Sequence, residues 1–373
     1  MDLTYTEEQT ALKASAERYL TNNYTSDVRR RIEKSSEGFS RAVWTQFATL
    51  GWLGLPFAEA HGGSGGRIAD VALLMEAFGR SLVAEPYVST VVVAGGLIQA
   101  AGSTAQQSAL IAGIIEGRHL FAFAHNDGSS ATRARRVGAG WVLDGGKRHV
   151  LDAASASHLL VTAGTGGDAT EPKLGLFVVD PSAAGVAMRH YPTIDGWRAA
   201  EMKLAGVEVS ADACLGGEID QSAAIATALD RANAASMADI VGAMQVMLDA
   251  TVDYSRTREQ FGKPLSANQV LRHRMADMGV RCEEARSSAL LAAIRADDGS
   301  TPAVRARAIS GAKVKVSACA RLVAEQAVQL HGGMGVTEEL DIGAYFKRVM
   351  AFDAVYGTPA FHLARYRNAP SNA

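Results

Sequence analysis

The chain has 373 residues, 48% of them hydrophobic and 20% charged, a balance typical of soluble globular proteins. Its net charge of -2, from 37 basic and 39 acidic residues, excludes the basic surface of a nucleic-acid-binding protein. The three cysteines form no CxxC pair, so we expect buried thiols and no metal site. No run of about 18 apolar residues and no signal-peptide core occurs, so no membrane span and a cytoplasmic location are expected.

The first part of the chain, to about residue 118, has helical periodicity. Thr6 is expected to cap a helix that continues through Leu20. Four further helices are predicted: Ser40–Leu50, Ile68–Ser81, Tyr87–Ala101 and Thr104–Gly113. The glycine-rich segment HGGSGG (His61–Gly66) follows no strand, which favours a plain loop over a phosphate-binding loop.

From about Arg118, short β-type runs alternate with turn residues. Seven strands are predicted: Leu120–Ala124, Trp141–Leu143, Arg148–Leu151, Leu159–Ala163, Leu174–Val179, Val186–His190 and Glu201–Leu204. Gly145-Gly146 and Asp180-Pro181 are expected to form turns between them. This density of short strands indicates a small antiparallel barrel or sandwich.

After Glu218 the chain is helical again. Long helices are predicted over Ala224–Arg256, from Ser266 to about Ala296 with a Ser266/Gln269 capping box, over Ala303–Leu330, and within the last twenty residues. Such helices with short connections form a four-helix bundle. The predicted class is therefore α+β, mostly α, with an N-terminal helical domain (1–118), a middle β-domain (119–217) and a C-terminal bundle (218–373).

Two segments of the bundle carry residues suited to binding a phosphate-containing ligand. In YSRTREQFGKPL (Tyr254–Leu265), Arg258 offers forked donors to phosphate oxygens and Phe261 a stacking face. In QLHGGMGV, Gln329 precedes Gly332 and Gly333, where a backbone without Cβ atoms can approach a bulky anion. The alternatives are a surface arginine with a core phenylalanine, and a simple helix cap.

Together with the stretch Gln329–Thr358, these motifs resemble the acyl-CoA dehydrogenase family, and the resemblance covers nearly the whole chain. It implies FAD as cofactor, α,β-dehydrogenation of an acyl-CoA thioester, and an electron-transfer flavoprotein as acceptor. In this family each FAD lies between two subunits of a tetramer. The resemblance assigns FAD contacts to Arg258, Phe261, Gln329, Gly332, Gly333 and Thr358.

The chain departs from the family pattern where the substrate would react. Tyr356 occupies the place of the glutamate that removes the α-proton, and Ala232 occupies the alternative place on the first long helix. Tyrosine side chains ordinarily have a pKa near 10, which suits a general base poorly at neutral pH. In the β-domain, FAHNDGSS and RHVLD replace the usual flavin-flanking stretches, with Asn126 and His149 as weak substitutes.

Three functions are compatible with this pattern. The first is a catalytically deficient subunit, of the small pimeloyl-CoA dehydrogenase subunit type, that completes the FAD site of a larger dehydrogenase subunit. The second is a homotetrameric FAD enzyme that uses Tyr356, another base or water. The third is an acyl-CoA or flavin-binding scaffold without redox turnover.

Overall fold

The computed structural model describes residues 4–166 and 173–370. The chain divides into two compact units, each built from separate stretches. A helical unit comprises Met1–Arg30, Ile68–Val83 and Asn233–Ala373. A unit that contains the sheet comprises Arg31–Arg67 and Ala84–Ala232.

The helices before the sheet largely follow the predicted pattern. They are α1 (Glu7–Asn23), α2 (Ser26–Lys34), α3 (Arg41–Thr49), α4 (Ile68–Ser81), the π-helix Val88–Gly95, α5 (Gly96–Ala101) and α6 (Thr104–Ile115). Thr6 caps α1, as predicted, and the structure shows that it does so through a capping box with Gln9. Helix α2 was not predicted, because its charged sequence SDVRRRIEK has few apolar residues to show a period.

The predicted β-region forms a mixed sheet. Its strands are β1 (Phe121–Ala124), β2 (Arg133–Val137), β3 (Gly140–Leu151), β4 (His158–Gly164), β5 (Leu174–Val179), β6 (Val186–Pro192), β7 (Arg198–Val209) and β8 (Cys214–Leu215). They are ordered β6-β7-β3-β2-β4-β5-β8, and β1 also pairs with β4. Most neighbours are antiparallel, but β1 and β2 each pair with β4 in parallel. One face buries an apolar core in which Trp141 packs edge-on against Phe177.

The predicted turn at Gly145-Gly146 is wrong. Both glycines lie inside β3, which joins two of the predicted strands, and the pairing with β7 shifts register there. Gly145 has φ +139°, and a Cβ would lie 2.6 Å from Thr132 Cα. The glycines therefore permit a bulge and a close strand contact, a second common reason for glycine in a β-region. The exposed strand β2 was missed because its sequence, RARRV, is mostly arginine.

The second half forms the predicted long helices. They are α7 (Ser222–Thr257), α8 (Gln269–Asp297), α9 (Pro302–His331), α10 (Ile342–Phe352) and α11 (Pro359–Asn368), and the short hairpin β9 (Glu259–Gln260) and β10 (Lys263–Pro264) follows α7. The predicted Ser266 capping box is wrong. Leu265–Ala267 forms a 3-10 turn, and α8 begins after Asn268 without a side-chain cap.

Helices α4 and α7 approach each other closely through glycine. A Cβ on Gly79 would lie 1.7 Å from the carbonyl oxygen of Asp239, and one on Gly242 would lie 2.0 Å from that of Glu76. The same pair of helices is tied to α10 by Arg348, which donates to Asp239 Oδ2 at 3.2 Å and to the Val83 carbonyl at 3.2 Å. Two glycines therefore set the helix spacing in the helical unit.

Helix α9 carries a lysine with no solvent-exposed surface, Lys313. Its Nζ donates to the carbonyls of Phe352 at 2.9 Å and Val355 at 3.1 Å. Burial lowers the pKa of this amine from 10.5 to about 7, although Asp353 opposes the shift.

Among the described residues, no helix is long and apolar enough to cross a membrane. Over the same residues, no cluster of three or more His, Cys, Asp and Glu side chains is arranged for a metal ion.

Gly79→Ala should lower the free energy of unfolding by about 3 kcal/mol or more, because the added methyl group overlaps backbone atoms that cannot move aside. Urea unfolding followed by circular dichroism measures the loss. Gly96→Ala is the matched control, because its Cβ would meet nothing within 4 Å and Gly96 is helical as the first residue of α5. Equal stability of the two variants would contradict the close helix contact.

Lys313 should make stability depend on pH. The folded-state pKa lies below the unfolded value, so the unfolded chain binds more protons between about pH 7 and 10 and stability rises with pH across that window. Relative to Lys313→Met, the wild-type chain should gain up to about 1.4 kcal/mol per pH unit. Urea unfolding at pH 7.5, 8.5 and 9.5 measures this difference, and a constant difference would contradict the shifted pKa.

Candidate functional site

Phe261 stands at the tip of the β9–β10 hairpin. It is 98% exposed and has φ +56°, and Gly262 follows with φ +75°. Two successive positive φ angles are typical of a tight two-residue hairpin turn, in which a bulky side chain is uncommon. The hairpin therefore presents a large apolar ring to solvent at a conformational cost.

Arg258 lies one residue before this hairpin and is exposed. Its backbone closes the hairpin base, since Leu265 N donates to the Arg258 carbonyl at 2.9 Å. The guanidinium makes no hydrogen bond or ion pair within residues 4–166 and 173–370. Its five donors are thus available to an external anion.

Helix α9 ends at His331, and the predicted glycine run follows. Gly332 has φ +59°, and its amide donates to the carbonyl of Gln329 as a helix cap. Gly332 and Gly333 are exposed, and a Cβ at either would meet nothing within 4 Å. The turn is therefore both a helix cap and an open surface where a ligand can contact backbone.

One ring contact joins the arginine and glycine segments. Tyr254, one turn before Arg258, stacks on His331 with ring centroids 4.5 Å apart and planes inclined by 26°. His331 is buried, and its Nδ1 donates to the Ala327 carbonyl at 2.8 Å. Burial lowers the pKa of this imidazole, although the hydrogen bond to the Ala327 carbonyl opposes the shift.

Tyr356 lies in the turn between α10 and α11 with φ +53°. Its carbonyl accepts from Asn233 Nδ2 and from His362 Nε2, both at 3.1 Å. Because a carbonyl can only accept, His362 carries its proton on Nε2, and its Nδ1 accepts from Ser310 Oγ at 3.1 Å. Asn233 of α7 and His362 of α11 thus hold the backbone of Tyr356, and Ser310 of α9 contacts His362 in turn.

Gly357 and Thr358 complete this turn. Gly357 has φ +112°, and a Cβ there would lie 2.7 Å from His362 Nε2, so only glycine fits. Thr358 is exposed, and its Oγ1 accepts from Phe361 N at 3.2 Å as the N-cap of α11. Its hydroxyl proton is still available to an outside acceptor.

Two carboxylates of the helical unit that could be considered as replacement bases are held in ion pairs. Asp353, three residues earlier, pairs with Arg321 at 2.5 Å, and Asp239 pairs with Arg348 at 3.2 Å. Ala232, at the alternative base position, is fully buried and has no ionisable group. The described residues therefore supply no obvious replacement for a glutamate base.

In the sheet unit, the segment that carries Asn126 is fixed to β3 by an ion pair between the buried Lys147 and the exposed Asp127. Lys147 Nζ contacts Asp127 Oδ1 at 2.6 Å, and it donates to the His125 carbonyl and Thr162 Oγ1, both at 3.1 Å. Burial disfavours the charged form of Asp127, but Lys147 outweighs it and lowers the pKa of that carboxyl. Asn126 is exposed, and its carbonyl accepts from Arg148 N at 2.9 Å.

His149 follows on the irregular part of β3 with φ +52°. Its Nδ1 lies 3.3 Å from the Tyr191 hydroxyl. Burial lowers the pKa of the imidazole, although Asp195 opposes the shift. Because the backbones of Asn126 and Arg148 pair, the two weakly assigned residues, Asn126 and His149, lie on neighbouring segments.

A cavity of about 760 Å³ opens beside these segments. Glycine and serine from the Gly128–Ser130 loop line one side, and charged side chains of three strands contribute Lys147, Arg148, Arg189, Glu201 and Lys203. Arg189 pairs with Glu201 at 2.8 Å. Arg148 and Lys203 make no ion pair with any residue that the structure describes, so the cavity favours an anionic group.

Sequence analysis missed the side chains that hold these segments in place. In the Tyr356 turn, Asn233 and His362 donate to the Tyr356 carbonyl, and Lys313 donates to the Val355 carbonyl. In the Asn126 segment, Lys147 contacts the neighbouring Asp127. The one available signal was a lysine at an apolar position of a helix, since α9 reads as apolar around residue 313.

Comparison with known proteins identifies the family. The family model for the acyl-CoA dehydrogenase N-terminal domain matches residues 6–118, and that for the C-terminal domain matches residues 222–367. Acyl-CoA dehydrogenase fadE12 of Mycobacterium tuberculosis is 29% identical over 358 residues, which cover 91% of this chain and 89% of that protein.

Solved structures agree with this match. A variant of the Tcur3481-Tcur3483 steroid ACAD is 30% identical, with a TM-score of 0.86 and 97% of each chain covered. The ChsE4-ChsE5 complex from Mycobacterium tuberculosis has a chain of the same fold, with a TM-score of 0.91, 24% identity and full coverage of both chains. The predicted fold class is thereby confirmed. This chain belongs to the acyl-CoA dehydrogenase family.

Proposed function

We propose that this chain is a subunit of a heteromeric, FAD-dependent acyl-CoA dehydrogenase that lacks a catalytic carboxylate of its own. Its role is to complete the FAD site of a larger partner subunit that holds the base. The assembly would oxidise the Cα–Cβ bond of an acyl-CoA thioester and pass electrons to an electron-transfer flavoprotein. When bound, FAD supplies the hydride acceptor for this oxidation.

The observation that carries the proposal is the hairpin of Arg258 and Phe261. An aromatic ring that is 98% exposed at a left-handed φ has no function within its own chain. Next to an unpaired guanidinium, it suits a ligand with both an aromatic base and a pyrophosphate. The open glycines after His331 suit the same ligand, so these residues fit the ADP half of FAD.

The residues expected near the substrate support the same assignment, in which a partner subunit supplies the base. Tyr356 and Ala232 replace both positions at which the family places its base, and Asp353 is committed to Arg321. The unpaired Arg148 and Lys203 at the cavity suit an anionic ligand such as a CoA phosphate. Two of the similar structures are themselves described as pairs of different proteins, which favours a heteromeric arrangement here.

A homotetrameric enzyme that uses Tyr356 is the second candidate. It is favoured by the strained φ of +53° and by the two side-chain donors that hold the Tyr356 carbonyl, since such strain is concentrated at functional sites.

Arg258→Met should lower the affinity of the co-expressed assembly for FAD by roughly ten- to a hundredfold, because a charge-assisted contact to the pyrophosphate is lost. Flavin absorbance per assembly after gel filtration measures the effect. Arg256→Met is the control, because Arg256 lies at the same helix end and, within the part of the chain that the structure describes, forms an ion pair with Asp253 alone, at 3.6 Å. Equal flavin content in both variants would contradict the assigned half-site.

Tyr356→Phe separates the two candidates. If a partner holds the base, anaerobic bleaching of the bound flavin by acyl-CoA should keep its rate within about twofold, because only the phenol oxygen is lost. If Tyr356 is the base, bleaching should slow by a hundredfold or more, on the order of the usual contribution of general-base catalysis. The second result would overturn the proposed role of the partner.

A further inference from the structure

The turn between α10 and α11 is held more firmly than a connection of this length requires. It contains two consecutive positive φ angles, +53° at Tyr356 and +112° at Gly357. A residue with a Cβ rarely adopts the first of these, so surrounding groups must stabilise it. Asn233 and His362 hold the Tyr356 carbonyl itself, but they do not reach the residues before it.

Lys313 holds those earlier residues. Its Nζ donates to the Phe352 carbonyl at 2.9 Å and to the Val355 carbonyl at 3.1 Å, for which the two protons of a neutral amine suffice. The Phe352 ring centroid lies 3.3 Å from Nζ, and this contact also stabilises the ammonium form below the pKa of about 7. The Phe352 carbonyl is the last of α10, where a helix leaves carbonyls without intrahelical partners, and the Val355 carbonyl lies three residues further, within the turn. One side chain therefore connects the end of α10 to the middle of the turn.

No carboxylate explains this lysine. Among the described residues it makes no salt bridge, and nearby Asp353 pairs with Arg321, about two turns further along α9. A fully buried amine without a counter-ion is costly, and an apolar side chain would fill the same space without that cost. The compensating gain must therefore come from the two carbonyls and the ring.

We infer that Lys313 is the positioning residue of the Tyr356 turn: by binding the carbonyls of Phe352 and Val355, it fixes where the Tyr356 phenol and the Thr358 hydroxyl are presented. The lysine acts through the backbone and touches neither group itself. This inference concerns one chain only, and it stands whether or not a partner subunit supplies the base.

Hydrogen exchange in the chain on its own tests the inference, with neither flavin nor partner present. The reporters are the amides of Ala354 and Val355, which donate to Ala351 O at 3.0 Å and Phe352 O at 3.2 Å. In Lys313→Met, their exchange should accelerate about tenfold, as expected when two hydrogen bonds to the turn are lost. Exchange within α10 should change less than twofold, because its own ladder is untouched.

Lys315→Met is the matched control, since Lys315 lies on the same helix and pairs with Glu284 at 2.9 Å. Its turn amides should exchange at the wild-type rate. If Lys313→Met does not fold, Lys313→Gln replaces it, with an amide donor that should give an intermediate acceleration.

Equal acceleration in the turn and in α10 would overturn the inference, because Lys313 would then support the helices in general. Unchanged turn exchange would overturn it too. Failure of both Lys313 variants to fold, while Lys315→Met folds normally, would assign Lys313 to the helical core instead of the turn.

Discussion

Helix ends impose the constraint on which the candidate site depends. Every α-helix leaves several amides and carbonyls without partners, and buried ends must find them elsewhere. Here the last carbonyl of α10 accepts a hydrogen bond from Lys313 Nζ. Helix α9 is capped at its C-terminus by Gly332 at a positive φ, and α11 is capped at its N-terminus by the Thr358 hydroxyl. The segments that carry the candidate FAD contacts are therefore the same segments that satisfy helix ends. A helix cap and a proposed ligand contact therefore coincide at Gly332 and at Thr358.

The candidate residues divide into two groups with different chemistry. The side chains of Arg258 and Phe261 are exposed, the Arg258 guanidinium has no partner among the described residues, and Gly332 and Gly333 expose open backbone, which suits them to an external ligand. The proposed base position, in contrast, has a well-supported backbone and an unsuitable side chain. The Tyr356 carbonyl accepts from Asn233 and His362, the Val355 carbonyl accepts from Lys313, and the side chain at this position is a phenol. A turn that is preserved without its base fits a subunit that retains the family's architecture and leaves proton abstraction to a partner.

Much of the fold was predictable, because long helices and apolar strands carry strong periodicity. Ile68–Ser81 was predicted to the residue, and α7 and α9 to within two residues. Charge-rich elements were missed, since SDVRRRIEK and RARRV have too few apolar residues to indicate a buried face. A glycine in the sequence can indicate either a turn or a bulge. Gly145 permits a bulge within β3 and does not form the predicted turn.

The site was predictable only where a motif is contiguous. Arg258 with Phe261, and Gln329 with Gly332, lie in short runs that sequence alone connects. Three side chains that support the turn lie more than forty residues apart in sequence and converge only through packing: Asn233, Lys313 and His362. Their side chains act on backbone atoms, and no spacing rule predicts such contacts.

The most direct test of the heteromeric account is purification from the native source, with intact mass and flavin absorbance measured on the same sample. The account predicts that this chain is isolated with a second, larger acyl-CoA dehydrogenase subunit, and with fewer FAD molecules than subunits. A homotetramer of this chain alone with one FAD per subunit, bleached by an acyl-CoA, would contradict it.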